Sequence, residues 1–452
     1  MRSDRVLRRT GRGAGGIARI GLTLALVLAG GASARAEQPP AESAAVEPAP
    51  GETAPVEPAP VEPEPTKPAA VEPAPAKPSL EESARARPFR DSPLAVEVHG
   101  FVSQGFILSS GNNYLGNSKR GSFEFNEVGI NFTKGLHDRL RVGVQFFARD
   151  LGAVGNYAPK VDWLYLDYRF ADWLGLRAGR LKAPFGLYNE VNDIDSARVP
   201  VLLPQSVYPI LNRDILLAQT GGELYGYLRM PPAGALEYRL YGGTLFIDPP
   251  VAQPPLSLKS FQVPYVFGGR LMWETPLDGL RLGGSVQQLR FDTAYTLPGM
   301  PPMPPSEITI GIPFVLWLGS FEYAAHDLLV AAEYGRWKAD VETTIGPASK
   351  VDTVVNERYY VMAAYRVSPW FYPGVYYSRL VENVDKPMHR DNYQNDLALT
   401  FRFDLTTHWL LKLEGHYMNG TLDLAPALND GTAKNVLKRD WGVFFAKTTA
   451  YF

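Results

Sequence analysis

The sequence predicts an all-β protein: a transmembrane antiparallel β-barrel of sixteen strands with a long third external loop folded inward. Three observations lead to this fold class. From Leu94 onward, apolar and polar residues alternate with a period of two over segments of ten to fifteen residues. Membrane-spanning strands need about 9–11 residues, whereas strands of soluble proteins average about five or six. The chain also begins with a secretory signal, and its longest apolar run, 311–318, is too short for a spanning helix.

The first 36 residues have the three parts of a secretory signal peptide. Six arginines precede an apolar core at Ile20–Ala29, and Ala34-Arg35-Ala36 supplies the small–x–small cleavage pattern. We therefore expect cleavage near Ala36 and export from the cytoplasm.

Residues Glu37–Arg90 have a different composition. Fourteen of these 54 residues are proline, the phrase Val-Glu-Pro-Ala-Pro recurs three times, and Phe89 is the one aromatic residue. A segment with so few apolar side chains cannot form a core. It is predicted to be a disordered periplasmic linker, with a tether to the cell wall or to a partner as the alternative.

The final segment, 91–452, carries the alternating strands. In 139–150, Leu140, Val142, Val144, Phe146 and Ala148 share one face, while the opposite face is largely polar. The same pattern recurs in 396–405, where leucine and phenylalanine alternate with polar residues. This dyad pattern is typical of barrels with an apolar outer wall and a polar lumen.

Sixteen such strands can be placed, an even number, as expected for a single-chain bacterial barrel. Short turns such as Asp172–Trp173 and Pro276–Asp278 alternate with longer external loops, for example Thr293–Glu307 and Asp340–Val354. Counts of 14 or 18 remain as alternatives. Aromatic residues near the strand ends are candidates for an interfacial girdle: Trp173, Trp273, Trp370 and Trp409.

One connection, Ala183–Ala218, is much longer than the others and is the third external loop. It is too apolar for a solvated loop, since it contains Val199, Val201, Leu202, Leu203, Val207, Leu216 and Leu217. The natural place to bury it is the barrel interior. The alternative is packing against other external loops or a neighbouring subunit.

Composition excludes several functions. The chain of 452 residues has no cysteine, so disulfides, thiolate metal sites and cysteine nucleophiles are absent. Its net charge is −2, and the predicted barrel has 33 basic and 36 acidic residues, which does not favour nucleic-acid binding. Hydrolase, phosphate-loop and zinc-protease motifs are missing from the sequence, so we expect neither an enzyme nor a cofactor.

The run AGRLKAPFGLYNEVNDIDSARVPVLLPQSVYP, at 178–209, resembles Gram-negative porins grouped with the phosphate-selective porins O and P. The dicarboxylate-associated porins are near relatives of that group, and HGFVSQGFI from His99 resembles the first strand of such porins. The resemblance implies a sixteen-stranded barrel, usually trimeric, whose third loop forms the pore constriction with the facing wall.

Carried onto this chain, the resemblance places Arg180 and Lys182 at the end of strand five, and Glu190, Asp193 and Asp195 on the acidic side of the constriction. Strand parity independently predicts a basic wall, made of Arg139, Arg141, Arg149, Arg169 and Arg177. Arg198 and Arg213 of the loop complete the candidate set. Arg180 or Lys182 could instead pair with the loop acids to anchor the loop. Opposed rims of charge would orient polar solutes and set ion preference.

The resulting functional hypothesis is an outer-membrane channel for passive diffusion of small hydrophilic solutes and ions, with a mild preference for anions such as small carboxylates. The balanced charge argues against phosphate specificity. Expected partners are outer-membrane lipid, two further copies in a homotrimer, and the barrel-assembly machinery, for which the terminal Phe452 is the recognition signal. The alternative is a structural or adhesive barrel tethered through its linker.

Overall fold

The computed structural model describes residues 96–152, 155–211, 216, 218–247, 249–250, 252, 254–299 and 305–452. The predicted signal peptide, the linker and Arg213 lie outside the described residues. None of the described helices is long and apolar enough to cross a membrane.

The described residues form one antiparallel sheet that closes on itself. Its strands are β1 (Glu97–Ser109), β2 (Asn126–His137), β3 (Leu140–Asp150), β4 (Lys160–Ala171), β5 (Leu174–Lys182), β6 (Ala218–Arg229), β7 (Ala235–Thr244), β8 (Ser257–Gln262), β9 (Val266–Glu274), β10 (Leu280–Leu297), β11 (Ser306–Ala325), β12 (Leu328–Ile345), β13 (Ala348–Tyr365), β14 (Phe371–Val381), β15 (Tyr393–Thr406), β16 (Trp409–Gly420) and β17 (Asp440–Tyr451). Short 3-10 helices lie at Ser118–Arg120, Asn189–Val191, Asp195–Ala197 and Pro426–Asn429.

The barrel has sixteen strand positions within the described residues, because β8 and β9 are consecutive segments that both pair with β10. The sheet closes where β1 pairs with β2 on one side and β17 on the other. The predicted β-barrel of sixteen strands is therefore confirmed. The ends of the barrel domain meet, since the Gly100 amide donates to the Phe452 carbonyl and the Phe452 amide to the Gly100 carbonyl.

The two faces of the sheet follow the period of two. Outward positions carry exposed apolar side chains, such as Leu164, Leu166 and Phe170 on β4 and Leu397 and Leu399 on β15. Alternate positions face inward and include the buried Arg402 and Lys412. An apolar outer face with charged inner positions is the arrangement of a membrane-spanning barrel. The four tryptophans proposed for a girdle, Trp173, Trp273, Trp370 and Trp409, are all exposed beside short turns.

The loop prediction for 340–354 was wrong. Strand β12 continues to Ile345 and β13 starts at Ala348, so two residues connect them. Strands β10 to β13 contain 18 to 20 residues, more than the roughly 9–11 that cross a membrane. Their outward side chains become polar near the loop end, for example Glu307 and Thr309, and this polarity resembled a loop in the sequence. For the same reason, the predicted loop 293–307 begins only after Leu297.

Candidate functional site

The segment that follows β5 contacts inward-facing residues on many strands of the barrel. It starts with a turn in which the Gly186 amide donates to Ser285 Oγ on β10. Gly186 has a φ of +68°, a left-handed conformation that favours glycine. Phe185 is fully buried beside it, with its ring 6.5 Å from that of Trp337 on β12. The turn at 184–186 thus packs against β10 and β12.

The contacts with β10 to β13 are largely apolar. Leu187, Leu203 and Val207 of the segment share one buried cluster with inward side chains of these strands, among them Ile312, Phe314, Leu316, Leu318 and Ala331. At about 25 cal/mol per Å² of buried apolar surface, such a cluster strongly favours this position for the segment. Leu203, Val207 and Leu216 are thus covered by this wall, whereas Val201 and Leu202 share a second buried cluster with residues of β1 and β17.

A buried carboxylate orders the same region. Glu333 on β12 accepts hydrogen bonds from Tyr208 Oη, from Tyr360 Oη at 2.8 Å and from Ser320 Oγ at 2.5 Å. It also accepts from the Leu187 amide at 3.0 Å. Burying a carboxylate is costly unless its lone pairs are satisfied, and here four donors satisfy them. Glu333 therefore ties both ends of the segment to the wall.

Further around the barrel, beyond β14, the strands β15 to β17 hold the middle of the segment through buried charges. Lys412 Nζ donates to Asp195 Oδ1 at 2.9 Å, and Thr449 Oγ1 donates to Asp195 Oδ2 at 2.7 Å. Burial alone would raise the pKa of Asp195, but the nearby cations Lys412, Lys447 and Arg198 hold this pKa well below its usual range. Asp195 is therefore an ionised anchor.

Backbone groups of the segment are held by the same wall. Arg402 Nη1 donates to the carbonyls of Ser196 and Arg198, and Lys412 Nζ donates to the carbonyl of Arg198. Glu414 accepts from the amides of Val201 and Leu202 at 2.6 and 2.9 Å. Polar side chains on the inner face of β15 and β16 therefore provide hydrogen-bond partners for backbone amides and carbonyls of the segment that are not paired within a helix or strand.

The wall from β3 to β9 is different, because some of its inward charges, such as Arg141 and Arg177, are only partly buried. Register places Arg141 opposite Asp167, Asp167 opposite Arg177, and Arg177 opposite Glu223. Arg177 Nε lies 3.1 Å from Asp167, and its Nη1 lies 3.3 Å from Glu223. Charges of alternating sign thus form a ladder across four strands. We call these four residues the charge ladder.

Glu190 joins the segment to the next part of this wall. Its carboxylate accepts from Arg239 Nη2 at 3.0 Å and lies 3.1 Å from Arg270 Nη2. Burial opposes ionisation of Glu190, but the two guanidinium groups lower its pKa to about 2. The acid is therefore charged at any physiological pH, and it partly neutralises two adjacent arginines that register places opposite each other.

Asp193 is the third loop acid, and it meets β3 to β5. It forms an ion pair with Lys182 and accepts from Gln145 Nε2 at 2.7 Å. Gln145 also donates to Asp162, which lies 3.5 Å from Lys182. Lys182 thus pairs with a loop acid, as the loop-anchoring interpretation expects, at the point where the segment comes closest to β4.

The remaining predicted basic residues lie in different settings. Arg139 is exposed in the turn before β3 and is not part of the strand. Arg169 lies 3.9 Å from the exposed Asp172 near a short turn, and Arg180 donates to the Asp162 carbonyl. Arg149 donates to the Ile210 carbonyl at 3.4 Å. It lines a small cleft with Glu127 and the buried Arg198, away from the charge ladder.

Sequence reasoning missed the cations of the barrel wall that hold the segment. Arg239, Arg270, Lys412 and Lys447 meet the loop acids Glu190 and Asp195, and Arg402 donates to carbonyls of the segment. The one indication in the sequence is the alternation of residues along each strand. Each of these cations occupies an inward position between outward neighbours that are mostly apolar. A charged residue at an inward position in mid-strand is the pattern that could have found them.

Exposure of the inward side chains differs around the barrel. On β15 to β17 nearly all are buried, for example Ala398, Lys412 and Thr449, and the same holds for most of β11 to β13. On β3 to β6, by contrast, inward residues such as Arg141, Tyr165, Arg177 and Tyr225 are partly exposed. Open space on the inside of the barrel therefore borders the β3–β6 wall. Within the described part of the chain, three or more metal-binding side chains do not come together in one place.

Comparisons with known proteins bear on the fold. No family model matches the chain, and none of the curated proteins does. A similar solved structure is the anion-selective porin from Comamonas acidovorans, with 10% identity, a TM-score of 0.50, and coverage of 79% of this chain and 99% of that one. A loop-deletion form of OmpT from Vibrio cholerae has 12% identity, a TM-score of 0.49 and coverage of 79% and 99%. The outer membrane channel DcaP of Acinetobacter baumannii has 11% identity, a TM-score of 0.47 and coverage of 79% and 97%. The first of these supports the barrel fold.

Proposed function

We propose that this chain forms a water-filled channel in the outer membrane, through which small hydrophilic solutes and ions diffuse passively. The observation that carries the proposal is a closed sixteen-strand barrel with an apolar outer face and partly exposed charges on its inner face. Such a barrel requires a membrane outside and tolerates water inside. Porin-like solved structures of the same fold are consistent with this function.

We further propose that the segment from Ala183 lies within the lumen and narrows it. Support comes from the contacts of this segment with β3, β7, β9 to β13 and β15 to β17. These strands are distributed around the circumference of the barrel. A segment outside the barrel could not reach inward-facing side chains on opposite walls. The same contacts argue against packing on other external loops.

The conducting path would run along β3 to β6, where the inward side chains are partly exposed. The opposite walls are covered by the segment, so water has access to the charge ladder and to Glu190 but not to Lys412. This geometry divides the predicted site residues into two groups. Arg141, Arg169, Arg177 and Glu190 would face the path, whereas Asp195 and Arg198 would anchor the segment.

The basic members of the charge ladder are more exposed than its acidic members, and this difference supports a mild preference for anions. The side chains of Arg141 and Arg177 are 28% and 24% exposed, whereas those of Asp167 and Glu223 are 13% and 1% exposed. The guanidinium groups therefore present more surface to a passing ion than their acidic partners. Small carboxylates are the expected solutes, and the nearly balanced charge argues against a dedicated phosphate channel.

Assembly into a homotrimer and insertion by the barrel-assembly machinery are part of the same proposal. Phe452 directly follows β17, is 63% exposed, and lies on the outward face that also carries Phe444. This placement leaves the terminal aromatic accessible to a receptor. No described contact bears on the trimer.

The test is electrical. Purified protein added to a planar lipid bilayer should produce stepwise currents, and the reversal potential in a salt gradient should indicate a modest excess of anion flow. A barrel that inserts without conducting would refute the channel. Replacing chloride by phosphate and by succinate would then rank the anions.

A further inference from the structure

Two aromatic rings stack on each other on the inner wall next to the charge ladder. Trp163 and Tyr165 of β4 are stacked, with centroids 5.2 Å apart and planes 18° apart. Both alternate with the outward Leu164 and Leu166, so both face the inside of the barrel. Both are partly exposed, although large aromatic side chains on the inner face elsewhere, such as Tyr360 and Phe445, are buried.

Gly143, on the strand next to β4, provides the space that these rings occupy. Gly143 on β3 is paired in register with Tyr165, and its side of the sheet faces inward. A Cβ atom on Gly143 would come within 2.9 Å of both Trp163 and Tyr165. The stacked rings therefore cover the glycine, and both remain partly exposed on the inside of the barrel. On β5, the other neighbour of β4, Tyr165 is paired with Gly179, which has no side chain that could cover the Tyr165 ring.

The position of this aromatic pair relates it to both features of the proposed channel. On the loop side, Gln145 is paired with Trp163 and donates to Asp193 of the segment. On the turn side, the next inward pair is Arg141 with Asp167, two residues or about 7 Å along the strand. A solute that leaves the narrowest region would therefore meet the rings first and the ladder immediately afterwards.

The charges next to the rings favour an anionic solute. Asp167 is engaged by Arg177 at 3.1 Å and by Tyr225 Oη at 2.6 Å. Arg141, in contrast, is paired with Glu97, whose side chain is 64% exposed, and exposed ion pairs contribute little. The exposed pair with Glu97 therefore competes only weakly with a passing carboxylate for the guanidinium of Arg141.

We propose that Trp163 and Tyr165 form a stacking platform that makes the channel bind aromatic carboxylates more tightly than aliphatic carboxylates of the same size and charge. The planar ring stacks on the platform while its carboxylate is attracted to Arg141. Offset stacking of aromatic rings adds to the burial of area alone, whereas a saturated ring cannot stack in this way. This inference rests on the proposed function, because the platform acts on solutes that enter the lumen.

The test compares benzoate with cyclohexanecarboxylate, which have equal charge and similar size but differ in aromaticity. The half-blocking concentration of each is measured on the current of the full chain in a planar bilayer. Saturation-transfer NMR on the protein in detergent measures binding without any need for conduction. We expect benzoate to block at a lower concentration and to give the stronger NMR signal.

Variants assign the effect to the platform. Trp163→Leu is expected to raise the half-blocking concentration of benzoate by about 2- to 10-fold, while leaving that of cyclohexanecarboxylate nearly unchanged. Trp163→Phe should retain most of the preference and controls for folding. Trp317→Leu, on the exposed outer face of β11, is the matched control and should have no effect.

The outcomes are distinct. Equal blocking and equal NMR signals for the two acids, or an unchanged preference in Trp163→Leu, would refute the platform while the channel stands. Absence of current with benzoate binding that depends on Trp163 would refute the channel but support the site. Absence of both would refute the two proposals together.

Discussion

Asp195, in the long segment after β5, and Lys412, on β16, form an ion pair of 2.9 Å in which the two side chains are 1% and 0% exposed. The partners are 217 residues apart in the chain. Because the pair is fully buried, it cannot contribute to ion selectivity directly. It joins the long segment to β16, and in the proposed channel it holds the segment on that side, away from the β3–β6 wall.

The first prediction concerns this pair. Lys412→Met leaves Asp195 buried with fewer counter-charges, which typically costs on the order of 3–5 kcal/mol. We expect a lower thermal unfolding temperature and a larger, noisier conductance as the segment loosens. The control is Lys338→Met on the outer face, whose pair with Asp340 is exposed and should contribute less than about 1 kcal/mol. Equal stability of the two variants would contradict the anchor.

Glu190 should set the balance of charge in the path. Glu190→Gln leaves Arg239 and Arg270 less compensated, so the reversal potential should move toward greater anion selectivity. The two arginines lower the pKa of the Glu190 carboxyl to about 2. The stability gained from this lowered pKa is therefore complete above the ordinary pKa of a glutamic acid and is lost as the pH falls toward 2, where the carboxylate becomes protonated. The effect of Glu190→Gln on selectivity should therefore be the same at pH 7 and pH 4. A difference that disappears at pH 4 would indicate an ordinary, unpaired carboxyl.

Two of the five arginines predicted for the basic wall, Arg141 and Arg149, should behave differently when their charge is reversed. Arg141→Glu reverses a partly exposed charge beside the path, and we expect selectivity to shift toward cations without loss of stability. Arg149→Glu instead places an acid beside Glu127 and the segment, so we expect a lower unfolding temperature. Reversal potentials and thermal unfolding of both variants separate these effects. An unchanged reversal potential in Arg141→Glu would refute its place beside the path.

A pH effect is expected from the loop after β16. Burial raises the pKa of Asp423 to about 6, although Lys434 and Arg358 oppose this shift. The folded protein therefore binds this proton more tightly than the unfolded chain, and its stability falls as the pH rises from the ordinary pKa of an aspartic acid to about 6. Asp423→Asn should therefore raise stability by on the order of 1 kcal/mol more at pH 8 than at pH 5. Asp430→Asn, an exposed change in the same loop, is the control; equal effects at both pH values would contradict the assignment.

The sequence was sufficient for the fold because each strand carries its own alternation. The outward face of β4, for example, is readable from Leu164, Leu166 and Phe170 alone. The loop acids were also identified, together with Lys182 as a partner of Asp193, but the partners of Glu190 and Asp195 on other strands were not. Asp195 pairs with Lys412 as well as with the predicted Arg198, because closure of the barrel brings β16 beside the segment, and no local pattern encodes that contact. Likewise, long strands such as β12 leave the membrane, where outward polarity no longer distinguishes a strand from a loop.

In the proposed channel, the conducting path follows the β3–β6 wall, and the segment after β5 covers the opposite walls. The chain has no cysteine, so single cysteines can be introduced without background. Tyr165→Cys and Arg177→Cys test the open wall, and Ala331→Cys and Ala398→Cys test the covered walls, where both alanines are fully buried. A charged methanethiosulfonate reagent is added during recording in a planar bilayer. The account predicts that the current changes at positions 165 and 177 and stays constant at 331 and 398. Modification at 331 and 398 with none at 165 and 177 would contradict it.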